Sequence, residues 1–236
     1  MAEVYIIPSL LSDDAVQTVH PYSIDFINTC HVLFVENERT ARRFLKQLWK
    51  LYRPEENLII DEFEWHTMEE TPQSLQVFKE SVKKGLNIAL ISEAGCPGVA
   101  DPGQYYVETA QKLGIRVRPV VGPNAILLSL MASGMNGQQF KFNGYLPIEN
   151  ALRIKAIKEL EVESFKKNLT QIFIETPYRN NQLVEAILSC CQHSTRLCIA
   201  VAITASNESI ITKTIAEWKK EKVDIHKRPA IFLLMA

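Results

Sequence analysis

A run of Gly, Pro and small polar residues extends from Ser92 to Gly103, directly after the apolar segment 87–91. Gly and Pro interrupt regular strands and helices, so this run must turn sharply and leave backbone N–H and C=O groups without regular partners. Groups of this kind can hold a small polar ligand. We therefore interpret residues 92–103 as one wall of a ligand pocket.

The ligand of this pocket is expected to lack phosphates. Neither Gly-x-x-x-x-Gly-Lys-Ser/Thr nor Gly-x-Gly-x-x-Gly occurs in the sequence, so ATP, GTP and NAD have no support. Ser92 does not lie in a Gly-x-Ser-x-Gly elbow, which argues against a hydrolase. The five His and five Cys residues show no ligand spacing, and we expect neither a metal site nor a disulfide framework.

The first half of the chain alternates between short β-branched runs and longer segments of helical periodicity. The sequence predicts strands at 3–7, 31–36, 57–61, 87–92 and 115–121. It predicts helices at 38–52, 72–84, 103–113 and 124–134. Strands and helices in repeated alternation favour a parallel sheet with crossover helices.

The second half has a different order of elements, which places a domain boundary near residue 136. It predicts strands at 140–145, 169–175, 196–203, 208–213 and 229–235 and helices at 150–167 and 178–191. We expect two α/β domains, residues 1–136 with a parallel sheet and residues 137–236 with a mixed sheet.

Unusual loops follow four predicted strands of the first domain. Open parallel sheets bind ligands beyond the carboxyl ends of their strands. Those ends carry Pro8-Ser9, Glu36-Asn37, Ser92 to Gly103, and Gly122-Pro123-Asn124-Ala125. Each loop alone is also explained by the ordinary turn chemistry of Gly and Pro, so the prediction of a pocket depends on their coincidence at one edge.

Length and composition describe an ordinary folded protein. The chain has 236 residues, 47% hydrophobic content and a net charge of -1, so no general affinity for nucleic acid or anionic membranes follows. No apolar stretch approaches the ~20 residues of a membrane helix. We expect a cytoplasmic protein without a membrane partner.

Four segments resemble, in order and spacing, successive motifs of the tetrapyrrole methylase superfamily. They are Ile91 to Gly103, Gly122 to Gly134, Phe142 to Pro147, and Phe173 to Arg179. The resemblance spans nearly the whole chain and is most evident to the branch that methylates a cytidine ribose of small-subunit ribosomal RNA. It implies a homodimer of two-domain α/β chains with S-adenosylmethionine in the interdomain cleft.

The resemblance also implies which residues bind the cofactor. Pro8, the corner Ser92-Glu93-Ala94, Val99 and Asn124-Ala125 would contact it from the first domain, and Glu175 from the second. Backbone donors and acceptors suffice for this cofactor, which carries its own activated methyl group and needs no metal. The residues alone allow a plainer role for two of them, Asn124 as a helix cap and Pro8 as a strand terminator.

Glu36-Asn37-Glu38-Arg39 resembles the family's Glu-Asp-Thr-Arg and supplies the candidate catalytic residues, Glu36 and Arg39. They would position a substrate sugar or phosphate, and a base near a hydroxyl assists its methylation. A helix start with acidic residues in its first turn explains the same sequence without catalysis. Six basic and no acidic residues lie within 39–53, a pattern that suits a phosphate backbone or a solvated face.

Departures from the family leave three hypotheses. By the resemblance, residues 201–205 correspond to the family's Arg-Glu-Leu-Thr-Lys and residues 227–229 to its Lys-Gly-Glu, and some charged groups of these motifs are absent here. Asn37 also replaces an acidic residue. The first hypothesis is a methyltransferase that uses S-adenosylmethionine and acts on RNA of the small ribosomal subunit. The alternatives are a methylase of a tetrapyrrole or other small molecule, and a non-catalytic homologue that binds the cofactor.

Overall fold

A computed structural model describes residues 2–56 and 58–236 as an α/β protein. The chain separates into two compact units, Met1–Asn124 and Ala125–Ala236, each with its own sheet. Among the helices in the described ranges, none has the length and apolar character needed to cross a membrane.

The first unit contains a five-stranded sheet in which every pair of strands is parallel. Its strands are β1 (Glu3–Ile7), β2 (Val32–Val35), β3 (Glu64–Thr67), β4 (Ile88–Ile91) and β5 (Arg116–Pro119). Their order is β3-β2-β4-β1-β5. Because side chains alternate along a strand, Leu33 and Val35 enter the core on one face, whereas Val32 and Phe34 enter the core on the other.

Helices cover this sheet, and two of them begin at side-chain caps. They are α1 (Ser23–Asn28), α2 (Glu38–Tyr52), α3 (Pro72–Lys83) and α4 (Gly103–Lys112). The Asn37 side chain accepts a hydrogen bond from the Thr40 amide at 3.2 Å, and Thr71 does the same for the Ser74 amide at 3.2 Å. Each cap gives a partner to an amide that the first helical turn leaves free.

The second unit has a five-stranded mixed sheet flanked by helices. Its elements are α5 (Ala125–Ser133), β6 (Phe140–Tyr145), α6 (Asn150–Lys167), β7 (Thr170–Ile174), α7 (Asn180–Cys190), β8 (Arg196–Val201), β9 (Ser209–Thr214), α8 (Ile215–Trp218) and β10 (Ala230–Met235). The strand order is β6-β7-β10-β8-β9, and only β6 and β7 pair in parallel. The rings of Phe173 and Phe232 stack at 6.0 Å in its core.

The predicted fold class, a parallel first sheet and a mixed second one, is confirmed. The prediction of a strand at 57–61 is wrong: Ile60–Glu62 form a 3-10 helix, β3 comes later, and Asn57 lies outside the described residues. The Trp65 indole donates to the Ile60 carbonyl at 3.0 Å and stabilises this turn. Sequence patterns also missed the short helices α1 and α8.

The boundary between the two units lies about one helix before the position expected from the sequence. Packing places it after Asn124, whereas the sequence places it near residue 136. The difference is α5, which packs against β9 and β10 of the second sheet. The division into α/β domains 1–136 and 137–236 stays a prediction.

Candidate functional site

Loops that follow β1, β4 and β5 meet at one edge of the first sheet. A Cβ placed on Gly122 would lie 2.2 Å from the Pro8 ring carbons Cβ and Cγ, so only glycine permits this approach. The Ser9 amide donates to the Gly95 carbonyl at 2.8 Å. The Cys96 thiol lies 3.4 Å from the Pro123 carbonyl oxygen. The carboxyl-end loops predicted to converge are therefore in direct contact.

The corner at 92–103 is built almost entirely from backbone and short side chains. Gly95 and Gly98 have φ values of 72° and 84°, which L side chains rarely adopt. The buried Ser92 hydroxyl donates to the Gly95 carbonyl at 3.2 Å. The Asp101 carboxylate accepts from the Gly98 amide at 2.9 Å and from the Gly103 amide at 2.7 Å. These bonds fix the turn that leads from β4 into α4.

Glu36 joins this edge from the end of β2. Its amide donates to the Ile91 carbonyl at 3.2 Å, and its carboxylate accepts from the Glu93 amide. Burial raises the pKa of Glu36 above its ordinary value, the charges of Asp101 and Glu93 raise it further, and the Glu93 amide opposes them. A half-buried carboxylate with a raised pKa binds a proton more readily than a free one, which suits a general base.

One buried polar atom at this edge has no partner among the described residues. Ser9 is 3% exposed, and its hydroxyl makes no hydrogen bond there. Buried hydroxyl groups are nearly always paired, so an unpaired one marks a place where a ligand or water completes the site. Ser9 was named in the sequence only as part of the Pro8 loop, because its burial depends on the neighbouring loops.

The predicted site residues divide between the two units. Pro8, Ser92, Glu93, Ala94, Val99 and Asn124 lie on the converging loops of the first unit with Glu36. Ser92 and Pro8 are buried, whereas Glu93, Ala94 and Val99 are exposed. Arg39 is exposed on the first turn of α2. Ala125 and Glu175 belong to the second unit, and their part in the same site stays a prediction.

Asn124 also holds the neighbouring thiol. Burial raises the pKa of Cys96, and a hydrogen bond with the Asn124 side chain lowers it by a smaller amount. Cys96 therefore remains a thiol at neutral pH and forms part of the wall.

At the end of β7, Glu175 forms a buried ion pair. Its side chain is 1% exposed, and Oε1 accepts from Arg179 Nη2 at 2.6 Å and from the Thr176 amide at 2.7 Å. Its Oε2 is buried without a partner among the described residues, as is Asn180 Oδ1.

The loop after β8 has a strained backbone. Ala202 and Thr204 have φ values of 50° and 72°. The Ala202 amide donates to the Pro229 carbonyl at 2.8 Å, and the Thr204 amide donates to Glu208 Oε2 at 2.7 Å. These two bonds hold a conformation that non-glycine residues disfavour.

The fold is that of the tetrapyrrole methylases. The structure is similar to that of the methyltransferase CobJ, with a TM-score of 0.65, 13% identity, and coverage of 100% of this chain and 94% of that one. It is also similar to uroporphyrin-III C-methyl transferase from Thermus thermophilus complexed with S-adenyl homocysteine, with a TM-score of 0.56, 12% identity, and coverage of 99% and 97%. At these identities the likeness concerns the fold.

Sequence relatives give the family. The chain is 30% identical over 225 residues to ribosomal RNA small subunit methyltransferase I of Bacillus subtilis, covering 94% of this chain and 71% of the relative. It is 29% identical over 234 residues to the Vibrio cholerae protein of that name, covering 98% and 76%. This chain belongs to the ribosomal RNA small subunit methyltransferase I family, which confirms the predicted resemblance and the methyltransferase class. No family model matches the chain.

Proposed function

We propose that this protein transfers the methyl group of S-adenosylmethionine to a ribose 2′-hydroxyl of small-subunit ribosomal RNA. The observation that supports it best is the convergence of Pro8, Glu36, the 92–103 corner and Gly122 at one sheet edge. The proposal includes a cytoplasmic homodimer with RNA as its partner. Among the described residues no group of His, Cys, Asp or Glu lies close enough together to hold a metal ion.

The residues of this edge fit the cofactor. S-adenosylmethionine supplies a methyl group already activated on sulfur, so the protein needs only to bind and orient it. The unpaired Ser9 hydroxyl is a hydrogen-bonding group for a ribose or amino-acid moiety, and Val99, 44% exposed, is an apolar surface for the adenine. Glu175 Oε2 is a second unpaired acceptor, which we propose approaches the cofactor from the second unit.

Glu36 is the residue we propose as general base. The Glu93 amide fixes one of its carboxylate oxygens, which orients the group. Its raised pKa means that the Glu36 carboxylate binds a proton more strongly, which favours acceptance of the 2′-hydroxyl proton during transfer. General base catalysis of this kind contributes about 10²- to 10⁴-fold to a rate.

An exposed basic stripe on α2 favours RNA over a small acceptor. Arg39, Arg43, Lys46 and Lys50 recur at i, i+4, i+7 and i+11 and are exposed, opposite the buried Ala41, Phe44, Leu45, Leu48 and Trp49. The stripe is about 16 Å long. Arg43 pairs with the exposed Asp13 at 3.0 Å, and the others form no ion pair within the described ranges. Three cations without an ion pair in the described ranges, with the exposed Arg43 between them, suit successive phosphates.

A methyl-transfer assay tests the proposal. Small ribosomal subunits that lack the modification are incubated with tritiated S-adenosylmethionine and wild-type protein, Glu36→Gln or Arg39→Ala. We expect label in RNA with wild-type protein, a rate about 10²- to 10⁴-fold lower with Glu36→Gln, and unchanged cofactor affinity for that variant by calorimetry. Label in uroporphyrinogen but not in RNA would reassign the substrate.

The altered loop at 202–205 supports a second candidate, a homologue that binds the cofactor without turnover. By the resemblance, Val201, Ala202 and Ala205 stand where the family has Arg, Glu and Lys, and Val201 is buried. Calorimetric binding of S-adenosylmethionine without transfer to either substrate would favour this candidate.

A further inference from the structure

The edge of the second sheet where β7 ends carries an exposed aromatic and basic surface. It consists of Tyr145, Tyr178, Arg179, His226 and Lys227, which we call the tyrosine edge. Tyr145 of β6 pairs with Ile174, the last residue of β7. Because β10 runs antiparallel to β7 and begins at Ala230, His226 and Lys227 precede it at the same edge. Two separate parts of the unit therefore meet here.

The two tyrosines of the tyrosine edge are unusually open. Tyr178 is 67% exposed and Tyr145 is 61% exposed. The Lys227 ammonium lies 5.8 Å from the Tyr178 ring centre, and the His226 ring meets that ring edge-on at 6.0 Å. At this exposure Tyr178 keeps ring surface free to stack on a planar ligand. An aromatic ring beside a cation is the combination that binds a nucleobase and its phosphate.

Hydrogen bonds hold the 224–229 loop in place before any ligand arrives. The Lys227 amide donates to the Pro177 carbonyl at 2.9 Å, and Lys227 has a φ of 61°. The Ile225 amide donates to Asn181 Oδ1 at 2.9 Å, and Asn180 Nδ2 donates to the Arg228 carbonyl at 2.7 Å. A surface that is already ordered loses less conformational entropy on binding.

The charges of the tyrosine edge select an anionic ligand. Arg179 is neutralised by Glu175, and its pKa is raised chiefly by that hydrogen bond and to a lesser extent by the nearby Tyr145. The exposed Lys227 forms no ion pair within the part of the chain that the structure describes. One free cation next to an open ring matches a single nucleotide, with its base on the ring and its phosphate on the ammonium.

We propose that the tyrosine edge binds an unpaired nucleotide of single-stranded RNA, with its base stacked on Tyr178 and its phosphate at Lys227. The proposal rests on the proposed function, because it assumes that the substrate is RNA. It adds a binding surface in the second unit, built from residues other than Glu36 and those of the basic stripe on α2.

Fluorescence anisotropy with a labelled single-stranded RNA of about 12 nucleotides tests the proposal, without cofactor. We expect Tyr178→Ala to weaken binding about tenfold and Tyr178→Phe, which keeps the ring, to bind like wild type. The matched control is Phe165→Ala, which removes an exposed aromatic side chain of the same unit that lies on α6, and it should not change affinity. The Tyr178→Ala effect should persist between about 50 and 200 mM salt, whereas the Lys227→Ala effect should shrink.

Four results would overturn the assignment. Equal affinities of Tyr178→Ala and Phe165→Ala would remove the stacking role while leaving RNA methylation intact. If light scattering gives Tyr178→Ala a lower molecular mass than wild type, the tyrosine edge is a contact between copies of the chain. If uroporphyrin displaces RNA from the wild-type protein and does not bind Tyr178→Ala, the ligand of the tyrosine edge is a tetrapyrrole. If wild type binds no RNA while it methylates uroporphyrinogen, the RNA substrate itself is wrong.

Discussion

The two sheet edges that bear candidate site residues are held together by opposite means. At the first edge, Pro8 and Gly122 approach each other because Gly122 has no side chain, and glycines supply the positive φ of the 92–103 corner at Gly95 and Gly98. At the second edge, the buried pair of Glu175 and Arg179 and amide side chains secure the loops.

This difference indicates which kind of substitution should disrupt each edge. The first edge should fail when a side chain is added, and the second when one is removed. Positive φ values also differ between the edges. At the second edge they occur at Gly144 and at three non-glycine residues, Ala202, Thr204 and Lys227. At the first edge they occur at glycines, with Ala100 as the exception.

The largest effect is expected from Arg179→Ala, which leaves the Glu175 carboxylate buried without its cation. We expect a loss of about 3 kcal/mol in the free energy of unfolding, at the lower end for a broken buried pair because Arg179 is 29% exposed. Urea denaturation measures it. The double variant Glu175→Gln/Arg179→Met is the control, and it should recover most of the loss since no buried charge remains.

Gly122→Ala should have the next largest effect, because its Cβ would lie 2.2 Å from the Pro8 ring. The loops must separate, at a cost of about 1–3 kcal/mol, with loss of S-adenosylmethionine binding in calorimetry. Gly137→Ala is the matched control, since nothing lies within 4 Å of its added Cβ. Unchanged cofactor binding in Gly122→Ala would show that the close approach at the first edge is not part of the site.

Glu36→Gln should change the pH dependence of stability. A carboxyl group whose pKa is raised in the folded state stabilises it below the ordinary value of 4.5, and this contribution is lost as pH rises through the folded pKa. The variant removes that loss, so its melting temperature should match wild type at about pH 4 and exceed it at about pH 8. If the melting temperatures of the variant and wild type differ by the same amount at both pH values, burial does not disfavour the Glu36 carboxylate.

The smallest effect is expected from relieving backbone strain at the second edge. Ala202→Gly should raise the free energy of unfolding by about 0.5–1 kcal/mol, since Ala202 has a φ of 50° and glycine adopts it without a steric penalty. Asn168→Gly, at the same φ of 50°, should gain less because Asn tolerates this region. An equal or larger gain for Asn168 would argue against strain at Ala202.

Local patterns in the sequence were enough to predict nearly every strand and helix. The helix at 38–52 and the strand at 140–145 coincide with the structure because apolar spacing and caps such as Asn37 act over a few residues. The strand at 57–61 was misplaced because Ile60 is buried by a turn that Trp65 stabilises from four residues beyond the segment. Convergence of the loops also followed from the prediction of a parallel sheet, whose strands have their carboxyl ends at one edge.

The partners of individual site atoms could not be predicted in this way. The unpaired hydroxyl of Ser9, the burial of Glu175 and the raised pKa of Glu36 depend on which loops pack against one another. Tyr178 gives no local sign that it lies open beside Lys227, because the two are brought together by β7 and β10. Contacts between distant segments decided each of these features.

Asp101 has a consequence for ligand selection. Amides at the start of a helix are where proteins commonly hold a phosphate group. At the start of α4, the Gly103 amide already donates to the Asp101 carboxylate, as does the Gly98 amide. A nucleoside triphosphate would find these donors occupied and a negative charge in its way. In the proposed cofactor site, this carboxylate would therefore disfavour ATP relative to an adenosine derivative without phosphates.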